Sequence, residues 1–492
     1  MGGAEKVNGA TVARGVIWRV MEVSGTEVLA FASFVLLARL LTPDDFGVVS
    51  QASLFILTVQ LVLQQGFPEA LVQMDEVDDD YFETSMWANI TLGAAAALLL
   101  AAAAPFLASI LSEPALAPVL VGLAPTLILL AANRIYLAKL RRSFFFQKFM
   151  LLNVVATLAG ALGATTLALN GFGLWSLIAQ QWLYALTGLI VGFACTGWLP
   201  GLRFRVDHMR SMWAFSSMTV LEAMSAFCAR RLDLLILAWY WSAREIGFYF
   251  LANRLLFSAG MLTYYSVSHL ALPFLSRLQH DPTEFRLAVY RTMQLVSLIC
   301  LPTFAGLALV APVLIPLLFG IEWISSIQPF QVLAALSPFY AMTLTYGQIL
   351  IAAGQARDAM ILSGITMVLF LAAVALAAPY GITHAAAAGG LASILVLPIY
   401  IQCLRYRFGI DLLRCLEDQL PCFTATVSMV SVVHLMGLWL GPLLHPVIHL
   451  AAICLVGACT FLAVMIVLAK ESLLGIVASF SGNRSSDQNV LA

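Results

Sequence analysis

The sequence predicts an all-α polytopic membrane protein of about 14 transmembrane helices, built as two six-helix lobes related by a parallel repeat plus two C-terminal helices. Three observations predict it. Of 492 residues, 61% are hydrophobic and 10% charged, and the mean hydropathy is +0.94. A soluble chain carries roughly 25% charged residues. The apolar residues fall in runs of about 20, the length a helix needs to cross the hydrocarbon core. The Lys and Arg are concentrated in alternate connecting segments, as the positive-inside rule requires. Together these exclude a cytosolic enzyme, a secreted disulfide scaffold and a disordered chain. A net charge of -1 offers no basic field for nucleic acid.

In chain order, the apolar runs place spans at 15–40, 46–66, 84–110, 115–138, 149–170, 173–197, 213–240, 245–270, 290–318, 327–350, 359–379, 384–404, 420–440 and 446–469. The first and seventh are the least hydrophobic. Of the 25 Lys and Arg, 18 lie in one alternating set of segments and two, Arg39 and Arg244, in the other; Arg19, Arg134, Arg230, Arg231 and Arg254 lie within spans. Losing or adding one early span would destroy that asymmetry. Both termini are therefore expected to be cytoplasmic. The acidic loop Asp75–Glu83 falls on the cytoplasmic side by parity, which the rule tolerates because acidic residues contribute little to orientation.

Glu22 and Glu27 interrupt the first run, so it reads as a retained span rather than a cleavable signal. The non-cytoplasmic loops are short and leave no room for a catalytic domain. The stretches near 198–212, 271–289 and 405–419 read as amphipathic connectors, and 480–492 as a frayed tail. The eight Cys form no CxxC pair and sit mostly inside spans, as small packing residues do. His445 and His449 lack an evident third metal ligand and read as interfacial. Asn89, Asn133 and Asn153 read as interhelical hydrogen-bond residues. No phosphate-binding loop and no nucleophile–base pair is present, so the sequence implies no cofactor and argues against an ATP-driven pump.

Shifting the chain by 200 residues aligns Glu22 with Glu222, Leu37 with Leu237, Ala38 with Ala238, Gly47 with Gly247 and Ala52 with Ala252. Thr42 then meets Ser242, and Asp45 meets Glu245. Six spans separate the copies. An even number gives both copies the same orientation, the mark of a parallel repeat. The domains follow: an N-terminal lobe at 1–200, a C-terminal lobe at 201–405, two further helices at 406–479 and the tail at 480–492. The transport path is expected between the lobes, with one rocking against the other.

A charge at mid-membrane costs about 2.5–3.5 kcal/mol on insertion scales, so each needs a reason. Span 1 carries Arg19, Glu22 and Glu27; span 7 carries Glu222, Arg230, Arg231 and Asp233; span 8 adds Arg254. At 100° per residue, Glu22, Thr26 and Ser33 share one stripe, and so do Glu222, Ala226 and Asp233. Arg19 with Glu22, and Arg230 with Asp233, are i,i+3 neighbours that can pair. With Gln60, Gln64 and Gln65 of span 2, these residues describe a hydrated, partly cationic lumen suited to an anionic, hydrogen-bonding cargo. Static salt bridges between helices are the competing reading.

The segments VLLARLLTPDDFGVVSQASLFI (35–56), EALVQ (69–73), LDLLILAWYWSAREIGFYFLANRLL (232–256), PLLFGIEWISSIQPFQVLAAL (316–336) and GQILIAAGQARD (347–358) resemble bacterial polysaccharide flippases. These form the polysaccharide-transporter group of the multidrug/oligosaccharidyl-lipid/polysaccharide exporter superfamily. The resemblance implies 14 helices in two lobes, a bacterial inner-membrane location and flipping of undecaprenyl-pyrophosphate-linked oligosaccharide for exopolysaccharide or lipopolysaccharide synthesis. It implies that the pyrophosphate meets Arg230, Arg231, Arg254 and Arg19. A polymerase and a chain-length regulator of the same pathway are the expected protein partners. Relatives often carry Lys or Arg just after the ALVQ-like segment, where this chain is acidic over Met74–Asp80. Proton and sodium coupling are both open. A cation-coupled multidrug exporter and a lipid II flippase are the alternatives within the superfamily. The three Arg of spans 7 and 8 oppose the exporter, and the short outer loops oppose a glycan polymerase or ligase.

Overall fold

The structure, a computed structural model, describes residues 9–440 and 445–480. Every regular element among them is helical. Span 1 is α1 (Gly9–Leu40). α2 (Pro43–Gln65) starts at a capping box: the Asp45 carboxylate accepts from the Thr42 backbone N–H at 3.0 Å, and the Thr42 hydroxyl accepts from the Asp45 N–H. It ends at Gly66, where Pro68 begins a short α3 (Phe67–Gln73). α4 (Asp79–Ile110) is capped by Asp78 and carries Asp79 and Asp80 in its first turn, where carboxylates suit the helix dipole. The fourth span is split at Ala124 and Pro125 into α5 (Leu116–Leu123) and α6 (Thr126–Arg142). α7 (Phe146–Leu169) and α8 (Trp175–Thr196) follow, the latter stopped by Gly197 at φ 61.

α9 (Val206–Tyr240) leads to α10 (Ala243–Leu262) and α11 (Tyr264–Leu278), which share one span interrupted at Thr263. α12 (Pro282–Phe319) holds Pro302, Pro312 and Pro316 within it. α13 (Ile327–Ala352), α14 (Ala356–Ala377), α15 (Ile382–Phe408), α16 (Leu412–Leu440) and α17 (Pro446–Phe480, non-helical at Ala469) complete the chain.

Each expected span lies on a helix, and twelve helical stretches among the described residues are long and apolar enough to cross a membrane. α9 and α13 fall outside those twelve. α9 is diluted by its charges, α13 by Gln328, Gln331, Ser337, Thr343, Thr345 and Gln348. The stretches near 271–289 and 405–419 are mostly continuations of long helices, not separate connectors, broken only at 279–281 and 409–411. Residues 481–492 of the expected tail lie outside the described residues.

Two compact units divide at residue 250, Met1–Phe250 and Leu251–Ala492. The first extends past the expected lobe boundary at 200 because α9 packs on α2, α3 and α4. The repeat is visible in how each unit is packed. In the first, α4 packs on α6, α6 on α8 and α7 on α8; in the second, α12 packs on α13, α13 on α15 and α14 on α15. These are the same helices in the same order, one repeat apart. Near the cation-rich helix ends of the first unit, Phe67, Leu71, Phe82, Met86, Ile135 and Met212 form a buried cluster. In the second unit, Cys422, Met429 and Val433 of α16 pack with Ile453, Phe461 and Met465 of α17 and with Leu301 and Val310 of α12. That packing fastens the last two helices to α12. The cysteines among the described residues are free thiols, and Cys300, Cys415 and Cys422 are buried.

Candidate functional site

The polar stripe of α1 is engaged with α7 and α8. Glu22 is buried, and its Oε1 accepts a hydrogen bond from Asn153 Nδ2 at 3.0 Å. The Ser33 hydroxyl accepts from Gln180 Nε2 at 3.2 Å. Thr26 donates back to the Glu22 carbonyl at 2.7 Å. Asn153 therefore does bridge helices, as its type suggested. Asn89 does the same, donating to the carbonyls of Leu63 and Ala131 at 3.3 and 2.8 Å. Burying such groups unpaired would cost about 1–3 kcal/mol each, and the pairing fixes the rotation of α1 and α4 about their axes.

On α9, Asp233 is buried and accepts from the Tyr249 hydroxyl of α10 at 2.8 Å. Arg231, two residues earlier, is exposed. The Thr219 hydroxyl donates to the Gln65 carbonyl at 3.1 Å and ties α9 to the end of α2. Arg254 belongs to the second unit, half-buried, with its guanidinium 5.8 Å from the centre of the Phe257 ring. The side chains of Arg19, Glu222 and Arg230 lie outside the described residues, and so do their expected pairings.

Two features were not anticipated. The first is at the cation-poor helix ends, where α2 and α10 begin. Ser242 and Glu245 repeat the carboxylate half of the Thr42–Asp45 box, the Glu245 carboxylate accepting from the Ser242 N–H at 3.0 Å and from its hydroxyl. The two boxes face each other closely: a Cβ on Gly47 would collide with the Ala243 carbonyl, and one on Gly247 with the Pro43 carbonyl. The second is at the cation-rich ends. Asp80 pairs with Arg203 at 3.2 Å and Arg205 at 3.5 Å, Asp79 with Lys139 at 3.1 Å and Glu69 with Arg141 at 3.2 Å. Glu83 accepts from the Arg203 backbone N–H, and Trp87 donates to the Gly201 carbonyl at 2.7 Å. His208 stacks on Tyr81 at 3.8 Å, and the Lys139 ammonium lies 4.4 Å from the Trp198 ring. Asp80 and Glu83 thus clamp the chain leading into α9. The sequence signal for it was present, as acids at 78–83 and cations at 203–205, but nothing local joins segments 120 residues apart.

A family model described as "Polysaccharide biosynthesis protein" matches residues 36–328, more than half of the chain. The chain belongs to this family. Among relatives, this chain is 27% identical over 317 residues to "Succinoglycan biosynthesis transport protein ExoT" of Rhizobium meliloti (strain 1021), covering 64% of each chain. It is 22% identical over 330 residues, 66% of each, to "Lipopolysaccharide biosynthesis protein WzxC" of Escherichia coli (strain K12). The chain thus spans somewhat under two thirds of the length of these two relatives. Among solved structures, "Lipid II flippase MurJ, inward closed conformation" superposes with a TM-score of 0.76 at 14% identity, covering 93% of this chain and 100% of that one. "Inward-facing conformation of a multidrug resistance MATE family transporter of the MOP superfamily" gives 0.59 at 14% identity, covering 79% and 98%. The polytopic, all-helical fold among the described residues is the one the sequence predicted, with twelve rather than 14 helical stretches long and apolar enough to cross a membrane.

Proposed function

We propose that this family member flips undecaprenyl-pyrophosphate-linked oligosaccharide repeat units across the bacterial inner membrane, for exopolysaccharide or lipopolysaccharide synthesis. One observation carries the reading. In a chain with 10% charged residues, the intramembrane charges other than Arg134 gather on the first helix of each repeat and on α10. Arg19, Arg230, Arg231 and Arg254 then meet the pyrophosphate, and Glu22, Glu222 and Asp233 balance them when the site is empty. Membership in a polysaccharide biosynthesis family supports the glycan half of this reading. Relatives named for succinoglycan transport and lipopolysaccharide biosynthesis support it too. The lobes at 1–200 and 201–405 alternate access, with the helices of 406–479 appended and both termini cytoplasmic. A polymerase and a chain-length regulator receive the product. Protons or sodium drive the cycle, and no cofactor takes part.

The test is the double variant Arg230→Ala/Arg231→Ala in a polymer-production assay, with membrane expression quantified. Polymer should fall at least tenfold. Wild-type polymer from a normally expressed double variant would sink the cationic-lumen reading.

A further inference from the structure

The break in the fourth span leaves an apolar groove in the first unit. α5 ends at Leu123 and α6 begins at Thr126, with Pro125 between them. Pro125 has no N–H to give to the Val121 carbonyl. The backbone tightens across the junction: the Leu127 N–H bonds the Ala124 carbonyl at 3.1 Å, and the Ile128 N–H bonds the Pro125 carbonyl at 3.2 Å. From α8, Trp182 Nε1 donates to the Gly122 carbonyl at 2.9 Å. Beside this bond lies an open groove of about 530 Å³. Val121, Gly122 and Pro125 line it, with Leu167 of α7 and with Trp175 and Trp182 of α8. Gly122 brings α5 close to α8, since a Cβ there would already touch the Trp175 ring at 3.4 Å and Ile178 at 3.5 Å.

Every lining residue belongs to a helical stretch long and apolar enough to cross the membrane. At 1.5 Å per residue, Trp182 lies about 10 Å along α8 from Trp175, and Pro125 about 14 Å along the fourth span from Leu116. Both stretches begin at the cation-poor ends, so the groove occupies one half of a hydrocarbon core about 30 Å thick. Below Trp182 the same stripe of α8 continues with Leu186, Ile190 and Phe193, all exposed. Large apolar side chains exposed along a spanning helix face lipid, and the groove is a concave part of that face. Its side chains are aliphatic or indole, and the Trp182 N–H is already bonded. A void with such walls holds no water. Left empty, it forfeits dispersion contacts along its whole length. A hydrocarbon chain restores those contacts without burying a polar group.

We infer that this groove is a lipid-binding site, holding one acyl chain of a phospholipid from the leaflet at the cation-poor ends. The chain props the broken span against α7 and α8. Phospholipid is the occupant because it is the bulk component of the bilayer that bathes the α8 stripe, and the groove is open to that stripe. The inference stands apart from the flippase reading and needs only that these helices span a membrane.

The test uses the full chain in nanodiscs of phosphatidylethanolamine and phosphatidylglycerol, doped with phosphatidylethanolamine that carries a diazirine in its acyl chain. Photolabelled residues are mapped by peptide mass spectrometry. Residues 121–125 and 175–183 should be labelled about threefold or more above residues 186–193, the ordinary lipid-facing surface of α8. Ala179→Trp and Leu167→Trp fill the groove from two different helices, so misfolding of one leaves the other to decide. Each should bring the excess down to the level of 186–193. Leu162→Trp, on α7 surface that is 66% exposed and outside the groove, should keep the excess. Wild-type labelling of the groove no higher than that of 186–193 would overturn the site, and so would an excess that survives the filling variants. Loss of the excess when undecaprenyl phosphate is added in equimolar amount would give the groove to a polyprenyl chain and overturn the phospholipid as occupant.

Discussion

Gly47 and Gly247 occupy equivalent positions of the two repeats, and each lies against the start of the other's helix. A Cβ on Gly247 would come within 3.3 Å of the Gly47 backbone nitrogen as well as striking Pro43, and a Cβ on Gly47 would strike Ala243. Pro43 and Ala243 are themselves one repeat apart. So are Asp44 and Arg244, which pair across the same crossing at 3.8 Å. Positions related by the repeat thus touch one another at this crossing. Two backbones approach this closely only where neither residue carries a side chain.

Substituting either glycine should therefore separate the two helix starts. Gly47→Ala and Gly247→Ala should each destabilise the protein by about 1–3 kcal/mol, the usual range for overpacking. Pseudo-symmetry predicts similar losses for the two. Thermal unfolding in detergent measures both, and an unchanged melting temperature for either would remove the crossing from the account.

The Glu22–Asn153 bond predicts a difference between two substitutions of similar size. Glu22→Gln can still accept from Asn153, whereas Glu22→Leu leaves the half-buried Asn153 amide without that acceptor. The Leu variant should be less stable than the Gln variant by about 1–3 kcal/mol. Equal melting temperatures would show that the bond carries no stability.

Asp233 and Tyr249 should behave as a coupled pair. Tyr249→Phe and Asp233→Asn should each lower stability, and the double variant should lose less than the sum. Neighbours that share a hydrogen bond show coupling of about 0.5–3 kcal/mol, which a double-mutant cycle reads directly. Strict additivity would deny the pairing.

The acidic clamp predicts a change in access more than in stability. Arg203 and Arg205 are exposed at the surface, so Asp80→Asn should cost no more than about 1 kcal/mol. It should still free the segment before α9, so that trypsin cuts at Arg203 or Arg205 several-fold faster than in wild type. High salt should speed cutting of wild type towards the variant rate. Identical cleavage at low salt would count against the clamp.

Particular residues show how far local information reached. The span positions were legible because lipid imposes one rule on every crossing segment: about 20 apolar residues with the backbone bonded internally. The repeat was legible as the matches Gly47/Gly247, Thr42/Ser242 and Asp45/Glu245, because like residues recur at a fixed offset of 200; that the last two pairs bond at helix starts was not. The break at Thr263 was not legible. Neither Gly nor Pro marks it, and it depends on Tyr264 finding room over Gly260. The amphipathic connectors were misjudged for a related reason, since polar residues do not stop a helix that has already started.

By itself, the sequence determined the membrane class, the helical fold, the orientation bias of the cations and the parallel repeat. Each follows from composition, length or period, which are properties of a segment and its solvent. Only the tertiary structure decided which helix Glu22 faces, that Asp233 meets Tyr249, that the acids of 78–83 hold the chain before α9, and that Gly47 and Gly247 share one crossing. Those facts depend on pairs of segments distant in the chain, and a hydrogen bond or a close backbone approach exists only once packing has brought both partners within a few ångströms.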